Sequence, residues 1–425
     1  GQRIMEQKLH TPEGVRDIYN SECKKKLAVQ DKLHQLLHLY GYQDIQTPTF
    51  EYFDVFRKEI GTIDSRELYK FFDREGNTLA LRPDMTPSIA RAVATLFETD
   101  RVPLRLCYVG NTFINRTSYQ GRLKENTQLG AELIGDDSIE ADAEMIAMVV
   151  DGMKQIGLSE FQVSIGHVDF LKSLMDETKL SEEIKEELYS LILNRNFFGV
   201  DEVLTENHVS KKIRDEFQVL PELMGGVEVL KKASAVATDN KAKKAVARML
   251  KIYKILAFYG VEDHITFDMS MCGNYGYYTG VVFKAYTYGT GDAVVSGGRY
   301  DHLIEKFGKQ TPSIGFAIII DELMSALSRQ KIAVETEKTN LIVYTDTTLK
   351  WAVSLAKEFR LRGKCMELIK REELESKEVY VEYGRQMHAV SLMYLNENRT
   401  ITMVNLRSGK ERVIDVAKRT KTESN

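Results

Sequence analysis

The chain has 425 residues, 43% of them hydrophobic and 28% charged, a globular balance with length for two or three domains and no low-complexity tract that would predict a long disordered tail. Its 58 basic and 62 acidic side chains leave a formal charge of −4, so composition offers no basic footprint for nucleic acid. Cys23, Cys107, Cys272 and Cys365 stand singly with no CxxC pair, which predicts neither a disulfide framework nor a metal site and fits a cytoplasmic location. Residues 1–14 carry charges throughout, so no signal peptide is expected, and the densest apolar run, 314–320, is far too short to span a bilayer.

In chain order, a loop with Thr11, Pro12, Glu13 and Gly14 precedes a helix that Asn20 or Ser21 caps and Gly41 ends. Leu27, Leu33, Leu36, Leu37 and Tyr40 give that helix one apolar face, and a short strand then approaches Pro48. Strands are predicted over 79–81, 104–113 and 127–135, then a helix over 139–155 with Ala141, Met145, Val149 and Met153 on one side. Phe161, Val163 and Ile165 alternate as a half-buried strand does. Residues 170–260 turn rich in Lys, Glu and Leu at helical spacing and are predicted to be an all-helical insertion. Strands resume over 265–271, 281–286, 293–296 and 314–320. The chain divides into a core, 1–325, a polar linker, 326–339, and a small α/β domain, 340–425. That last domain holds strands over 341–344, 365–369, 401–406 and 412–416 and a helix over 348–361.

Four segments carry chemistry. In Leu81-Arg82-Pro83-Asp84-Met85-Thr86-Pro87, Asp84 or Thr86 either caps the following helix or presents a carboxylate and a hydroxyl to an ammonium group. Gln128 and Glu132 are four apart, so in a strand they share a face; if buried there, they need a polar ligand, and if not, the face is solvated. Gly276-Tyr277-Tyr278-Thr279-Gly280 offers an aromatic wall with hydroxyl handles. Gly297-Gly298-Arg299-Tyr300-Asp301 permits close backbone approach or a tight turn. Each alone is weak, since tyrosine pairs usually pack and a double glycine usually turns.

Together and in this order they resemble the histidyl-tRNA synthetase family. Its class II core carries an LRPE-x-T segment, a GR…Q-x-G-x-E-x-x-G segment, a D-Y-Y-T segment, a GGRYD segment and a closing G-F-A helix start. The stretch Ile401-Thr402-Met403-Val404-Asn405-Leu406-Arg407-Ser408-Gly409 resembles the family's anticodon-binding domain. The resemblance implies an α+β fold: an antiparallel sheet core flanked by helices, a helical insertion and a small C-terminal α/β domain. It also implies a histidine pocket in which Asp84 (Glu in the family), Thr86 and Gln128 hold the α-ammonium. Glu132 and Tyr278 then meet the imidazole nitrogens, with Tyr277 beside them.

The family's activation chemistry depends on three arginines, and by resemblance their positions are Ile114, Gly273 and Glu322 here. Losing one preorganised donor typically costs about 10²–10³ in rate, so no catalytic residue and no aminoacylation are expected. Arg116 and Arg122 lie nearby in sequence as partial substitutes. The loop that meets ATP and the tRNA end has drifted to Thr117-Ser118-Tyr119 where the family carries Arg-Pro-Gln. A pocket kept without catalysis resembles one branch of the family, the regulatory subunits of ATP phosphoribosyltransferase, the first enzyme of histidine biosynthesis. The implied ligand is L-histidine as feedback signal, with no cofactor and no metal. The implied partners are a short catalytic subunit in an assembly of four and four, and a second copy of the core near Pro48. A divergent but active histidyl-tRNA synthetase is the alternative. A tRNA-binding module is disfavoured: Lys410, Arg412, Lys418, Arg419 and Lys421 are offset by Glu372, Glu373, Glu375, Glu378, Glu382 and Asp415.

Overall fold

The computed structural model describes residues 2–57, 63–97, 103–117, 121–273, 276–372 and 374–416. The chain forms two compact units over its described residues, Gly1–Asp17 with Val29–Ala333, and Ile18–Ala28 with Val334–Asn425. Ser118, Tyr119, Glu373, Lys418, Arg419 and Lys421, singled out above, lie outside the described residues.

The chain opens with α1 (Gln2–Leu9) and α2 (Asn20–Leu39), then β1 (Gln43–Asp44), β2 (Phe50–Tyr52), β3 (Lys70–Phe72) and β4 (Thr78–Leu81). Next come α3 (Thr86–Leu96), β5 (Leu104–Phe113), β6 (Glu125–Ile134), α4 (Ile139–Gln155) and β7 (Phe161–His167). A helical stretch follows: α5 (Val168–Glu177), α6 (Glu182–Leu193), α7 (Phe197–Glu206), α8 (Lys211–Val219), the short β8 (Met224–Gly225), α9 (Glu228–Val236) and α10 (Asn240–Phe258). The unit closes with β9 (Ile265–Asp268), β10 (Val281–Thr287), β11 (Val295–Arg299), β12 (Ser313–Ile319) and α11 (Ile320–Arg329).

One sheet runs β1-β5-β6-β12-β11-β10-β7-β9-β8, and a smaller one runs β2-β4-β3. The large sheet is antiparallel except where β1 meets β5 and β7 meets β9. The β5–β6 ladder runs unbroken from Leu104↔Ile134 to Phe113↔Glu125. Helix α4 covers the sheet as its spacing predicts. Ser138 Oγ accepts from Ala141 N–H at 3.1 Å at its start, and Gly157, with φ +98°, lies just past its end. Met145, Ile146, Val149 and Met153 are fully buried, each contributing roughly 1.5–3 kcal/mol by leaving water. Truncating Met145 to Ala would open a cavity costing about 2–5 kcal/mol.

The structure departs from the sequence reading in places. The stretch 170–260 is not wholly helical, because Met224–Gly225 pairs antiparallel with β9 through Met224↔Asp268; two residues are too few to show alternation. The strand expected over 265–271 stops at Asp268, whose Oδ1 accepts from Ser270 N–H and Oγ–H and turns the chain. The strand expected at 293–296 is shifted to Val295–Arg299.

In the second unit β13 (Thr339–Tyr344), α12 (Leu349–Leu361), β14 (Cys365–Lys370), α13 (Lys377–Gln386), β15 (Ser391–Leu395), β16 (Thr400–Asn405) and β17 (Glu411–Asp415) form a sheet in the order β14-β13-β15-β16-β17. Alternation on β13 sorts its side chains to two cores. Leu341 and Val343 pack with Tyr380 and Val381 of α13, while Ile342 packs with Ala352 and Ala356 of α12. Helix α13 and strand β15 were not among the expected elements; α13 carries charges along its length, and β15 is only five residues long.

Candidate functional site

The register of three central strands opens a hollow in the first unit. Gln128, Gly130 and Glu132 of β6 pair with Ile319, Ala317 and Gly315 of β12, and Ala317 and Gly315 pair with Ser296 and Gly298 of β11. Directly opposed residues of antiparallel strands project to the same side, so this face is floored by glycine, alanine and serine. Above it is a cavity of about 290 Å³, walled by Asp84 and Thr86 at the start of α3, by Tyr277, Tyr278 and Tyr300, and by Ile114 after β5. Gly315 cannot be replaced without moving the site: a Cβ there would fall 1.7 Å from Glu132 Oε2.

Five of the six expected binding residues line this cavity: Asp84, Thr86, Gln128, Tyr277 and Tyr278. Glu132 projects from the same face but is only 1% exposed, set behind the lining side chains of Thr86 and Tyr300. Thr86 Oγ1 donates to Glu132 Oε1 at 2.9 Å, and Tyr300 OH donates to Glu132 Oε2. Burial pushes the Glu132 carboxyl up to about 8, against the pull of the Tyr300 and Thr86 hydrogen bonds and with help from the negative Asp84. Asp84 faces the cavity and does not cap α3, whose N-cap is Met85 with no side-chain cap hydrogen bond. Its Oδ1 accepts from the N–H groups of Met85 and Thr86 at 2.7 and 3.5 Å, just ahead of the helix. Burial raises its carboxyl above the usual range, and the two backbone N–H groups oppose that.

Gln128 is the lining side chain whose pairing is incomplete. Its Oε1 is buried with no hydrogen-bond partner among the described residues, and the side chain lines the cavity. Such an orphan acceptor costs about 1–3 kcal/mol, which a bound N–H donor would offset. Tyr277 and Tyr278 meet edge to face with ring centroids 4.9 Å apart, and Tyr277 stacks on Tyr300 at 5.9 Å. The sequence reading did not single out Tyr300 as a site residue. Its signal is the Gly-Gly-Arg-Tyr segment itself: both glycines lie in β11, where a Cβ would meet the Phe283 ring at 2.4 Å from Gly297 and the Tyr278 ring at 2.6 Å from Gly298.

The three positions where the resemblance places arginines differ in location. Ile114 lines the cavity and supplies only hydrocarbon. Gly273 has φ +64°, and a Cβ there would meet the Tyr278 ring at 2.5 Å, so the backbone is built around glycine. Glu322, half-buried on the first turn of α11, is not among the residues lining the cavity. The two substitute arginines are engaged elsewhere: Arg116 Nε donates to the Leu123 carbonyl at 3.4 Å, and Arg122 pairs with Asp292 at 3.0 Å. Arg299, beside the floor, is held in a buried ion pair with Asp142 at 2.7 Å. No lysine, arginine or histidine lines the cavity among the described residues.

A family model described as histidyl-tRNA synthetase matches residues 14–323. An ATP phosphoribosyltransferase regulatory subunit of Acetivibrio thermocellus is 38% identical over 86% of this chain and 88% of its own length. One of Clostridium novyi is 34% identical over 96% and 97%. The chain belongs to the histidyl-tRNA synthetase family, in its branch of regulatory-subunit relatives. A crystal structure of an ATP phosphoribosyltransferase regulatory subunit/histidyl-tRNA synthetase from Bacillus halodurans superposes with a TM-score of 0.80 at 33% identity, covering 91% of this chain and 97% of that one. Within the family, the second unit does not separate synthetases from regulatory subunits, since the Clostridium novyi match spans nearly both chains end to end. No helix among the described residues is long and apolar enough to cross a membrane.

Proposed function

We propose that this chain is the non-catalytic regulatory subunit of an ATP phosphoribosyltransferase, required by a short catalytic subunit and relaying feedback inhibition by L-histidine in the first step of histidine biosynthesis. The observation that carries the reading is a cavity lined by Asp84, Thr86 and Gln128 in which Ile114 stands on the wall and no described lining residue is cationic. Adenylation builds negative charge between a carboxylate and a triphosphate, and that charge needs fixed donors. A hydrocarbon wall supplies none.

Histidine fits the remaining groups. Its α-ammonium donates to the orphan Oε1 of Gln128 and faces the carboxylate of Asp84 and the hydroxyl of Thr86. Its imidazole N–H lies toward Glu132, with the hydroxyls of Tyr278 and Tyr300 beside the other nitrogen and Tyr277 against the ring. No cofactor is needed for this role, and aminoacylation by the chain itself is absent. With no cation among the described lining residues to meet the histidine carboxylate, the ligand is held loosely, which suits a sensor of free histidine. The core pairs with a second copy near Pro48, and four regulatory chains assemble with four catalytic ones in the cytoplasm. tRNA is not a partner.

Reconstitution tests this. A short-form catalytic subunit is assayed for phosphoribosyl transfer to ATP with and without this chain, then with histidine added. Activation by the chain, reversed by histidine, is expected; a catalytic subunit indifferent to the chain would overturn the proposal.

A further inference from the structure

A second polar cluster lies at the edge of the large sheet. Helix α2 places His34 and His38 one turn apart on one face, just before the turn at Gly41 that leads into β1. Strand β1 then brings Asp44 into parallel register with Cys107 of β5. His34 Nε2 is hydrogen-bonded to Asp44 Oδ1, His38 Nε2 to Asp44 Oδ2 at 2.9 Å, and Cys107 Sγ–H donates to Oδ1 at 3.2 Å. The two imidazoles tilt toward each other with centroids 4.5 Å apart. One donor atom from each of the four residues lies within 4.8 Å of all the others.

We infer that His34, His38, Asp44 and Cys107 form a binding site for a divalent transition-metal cation of the zinc type. Two imidazoles, a thiolate and a carboxylate are borderline donors, which suit Zn²⁺ and not Mg²⁺ or Ca²⁺. Tetrahedral zinc with bonds of about 2.0–2.3 Å spaces its donors by roughly 3.3–3.8 Å. The cluster therefore needs about an ångström of contraction, and His34, His38 and Asp44 are partly exposed side chains with room to turn. Cys107 is the fixed point, buried on a strand whose backbone is paired on both sides. Both Nε2 atoms already face a common carboxylate, so each imidazole binds through Nε2 with its proton on Nδ1. The Sγ–H proton leaves to solvent as the thiolate takes the metal. Four protein donors complete a tetrahedral shell with no position for substrate, so the metal clamps α2 to the sheet edge and does no chemistry.

The test is titration of the reduced, tag-free full-length chain with Co²⁺, read by absorption, followed by Zn²⁺. Expected is one saturable equivalent with tetrahedral visible bands and a thiolate-to-cobalt charge-transfer band, all displaced by Zn²⁺, together with a rise in melting temperature on adding Zn²⁺. His34→Ala/His38→Ala, at partly exposed positions that tolerate truncation, should weaken cobalt binding by at least about 100-fold and abolish the zinc-induced rise. Cys107→Ser should remove the charge-transfer band. Absence of a saturable tetrahedral spectrum would overturn the inference. So would a spectrum that survives in both variants, since that would place the metal on another free cysteine, Cys23, Cys272 or Cys365.

Discussion

Thr86 Oγ1 donates to Glu132 Oε1 at 2.9 Å, linking the first residue of α3 to a carboxylate buried on the cavity face of the sheet. With Tyr300 on the other oxygen, the carboxyl answers to two side chains that face the cavity. A ligand arriving above the floor therefore changes the protonation of a group it need not displace.

Glu132 titrates at about 8 when folded, because of its burial, against 4.5 for an ordinary glutamate. Between those values the folded chain holds a proton that the unfolded chain has lost, so stability falls as pH rises through that window and levels off above it. The effect is on the order of a few kcal/mol. Melting temperatures from pH 5 to 9 should show the decline in the parent chain and a flatter profile in Glu132→Gln.

Histidine binding should then release a proton at pH 7, because an ammonium and an imidazole N–H favour the ionised carboxylate. Calorimetric titrations in buffers of different ionisation enthalpy give the number released. A value near one is expected for the parent chain and near zero for Glu132→Gln, with binding in the variant weakened by about 10-fold or more.

Gly315→Ala puts a methyl group 1.7 Å from Glu132 Oε2. The carboxyl must move off Thr86 and Tyr300, at a cost of about 1–3 kcal/mol in stability. Urea unfolding should show that loss, and the melting shift produced by millimolar histidine should disappear with it.

Ile114→Arg returns a cation to the cavity wall. The side chain can pair with the histidine carboxylate, so affinity should rise by roughly 5–50-fold in calorimetry. Gly273→Arg should not help, because its backbone at φ +64° and the Tyr278 ring both exclude a side chain. Equal tightening by both variants would contradict this reading of the two positions.

The Asp142–Arg299 pair is structural. Asp142 is fully buried and also accepts from Arg248 Nε at 2.8 Å. Asp142→Ala leaves Arg299 buried beside Asp301 alone and should cost about 3–5 kcal/mol in urea unfolding.

Parts of this arrangement are legible in the sequence, and the reason is local geometry. Gln128 and Glu132 share a face because strand periodicity forces it, and α4 follows from an apolar spacing with a serine cap. The Thr86–Glu132 contact joins residues on separate elements, and only the order of motifs places them together. Tyr300 escaped notice because no spacing rule says where a residue after a double glycine will point. His34 and His38 stand four residues apart, an interval that alone marks no site, and the sequence reading expected no metal; Cys107 joins them through a parallel pairing that a single sequence does not display. Asp84 shows how the choice between two readings falls: it lines the cavity, while the N-cap of α3 is Met85 without a side-chain bond.

The central claim is that a histidine pocket persists without the cations that activate histidine. ATP–pyrophosphate exchange, run on chain shown to bind histidine, tests it most directly. No histidine-dependent exchange above background is predicted; exchange that depends on histidine and is lost in Glu132→Gln would contradict the account.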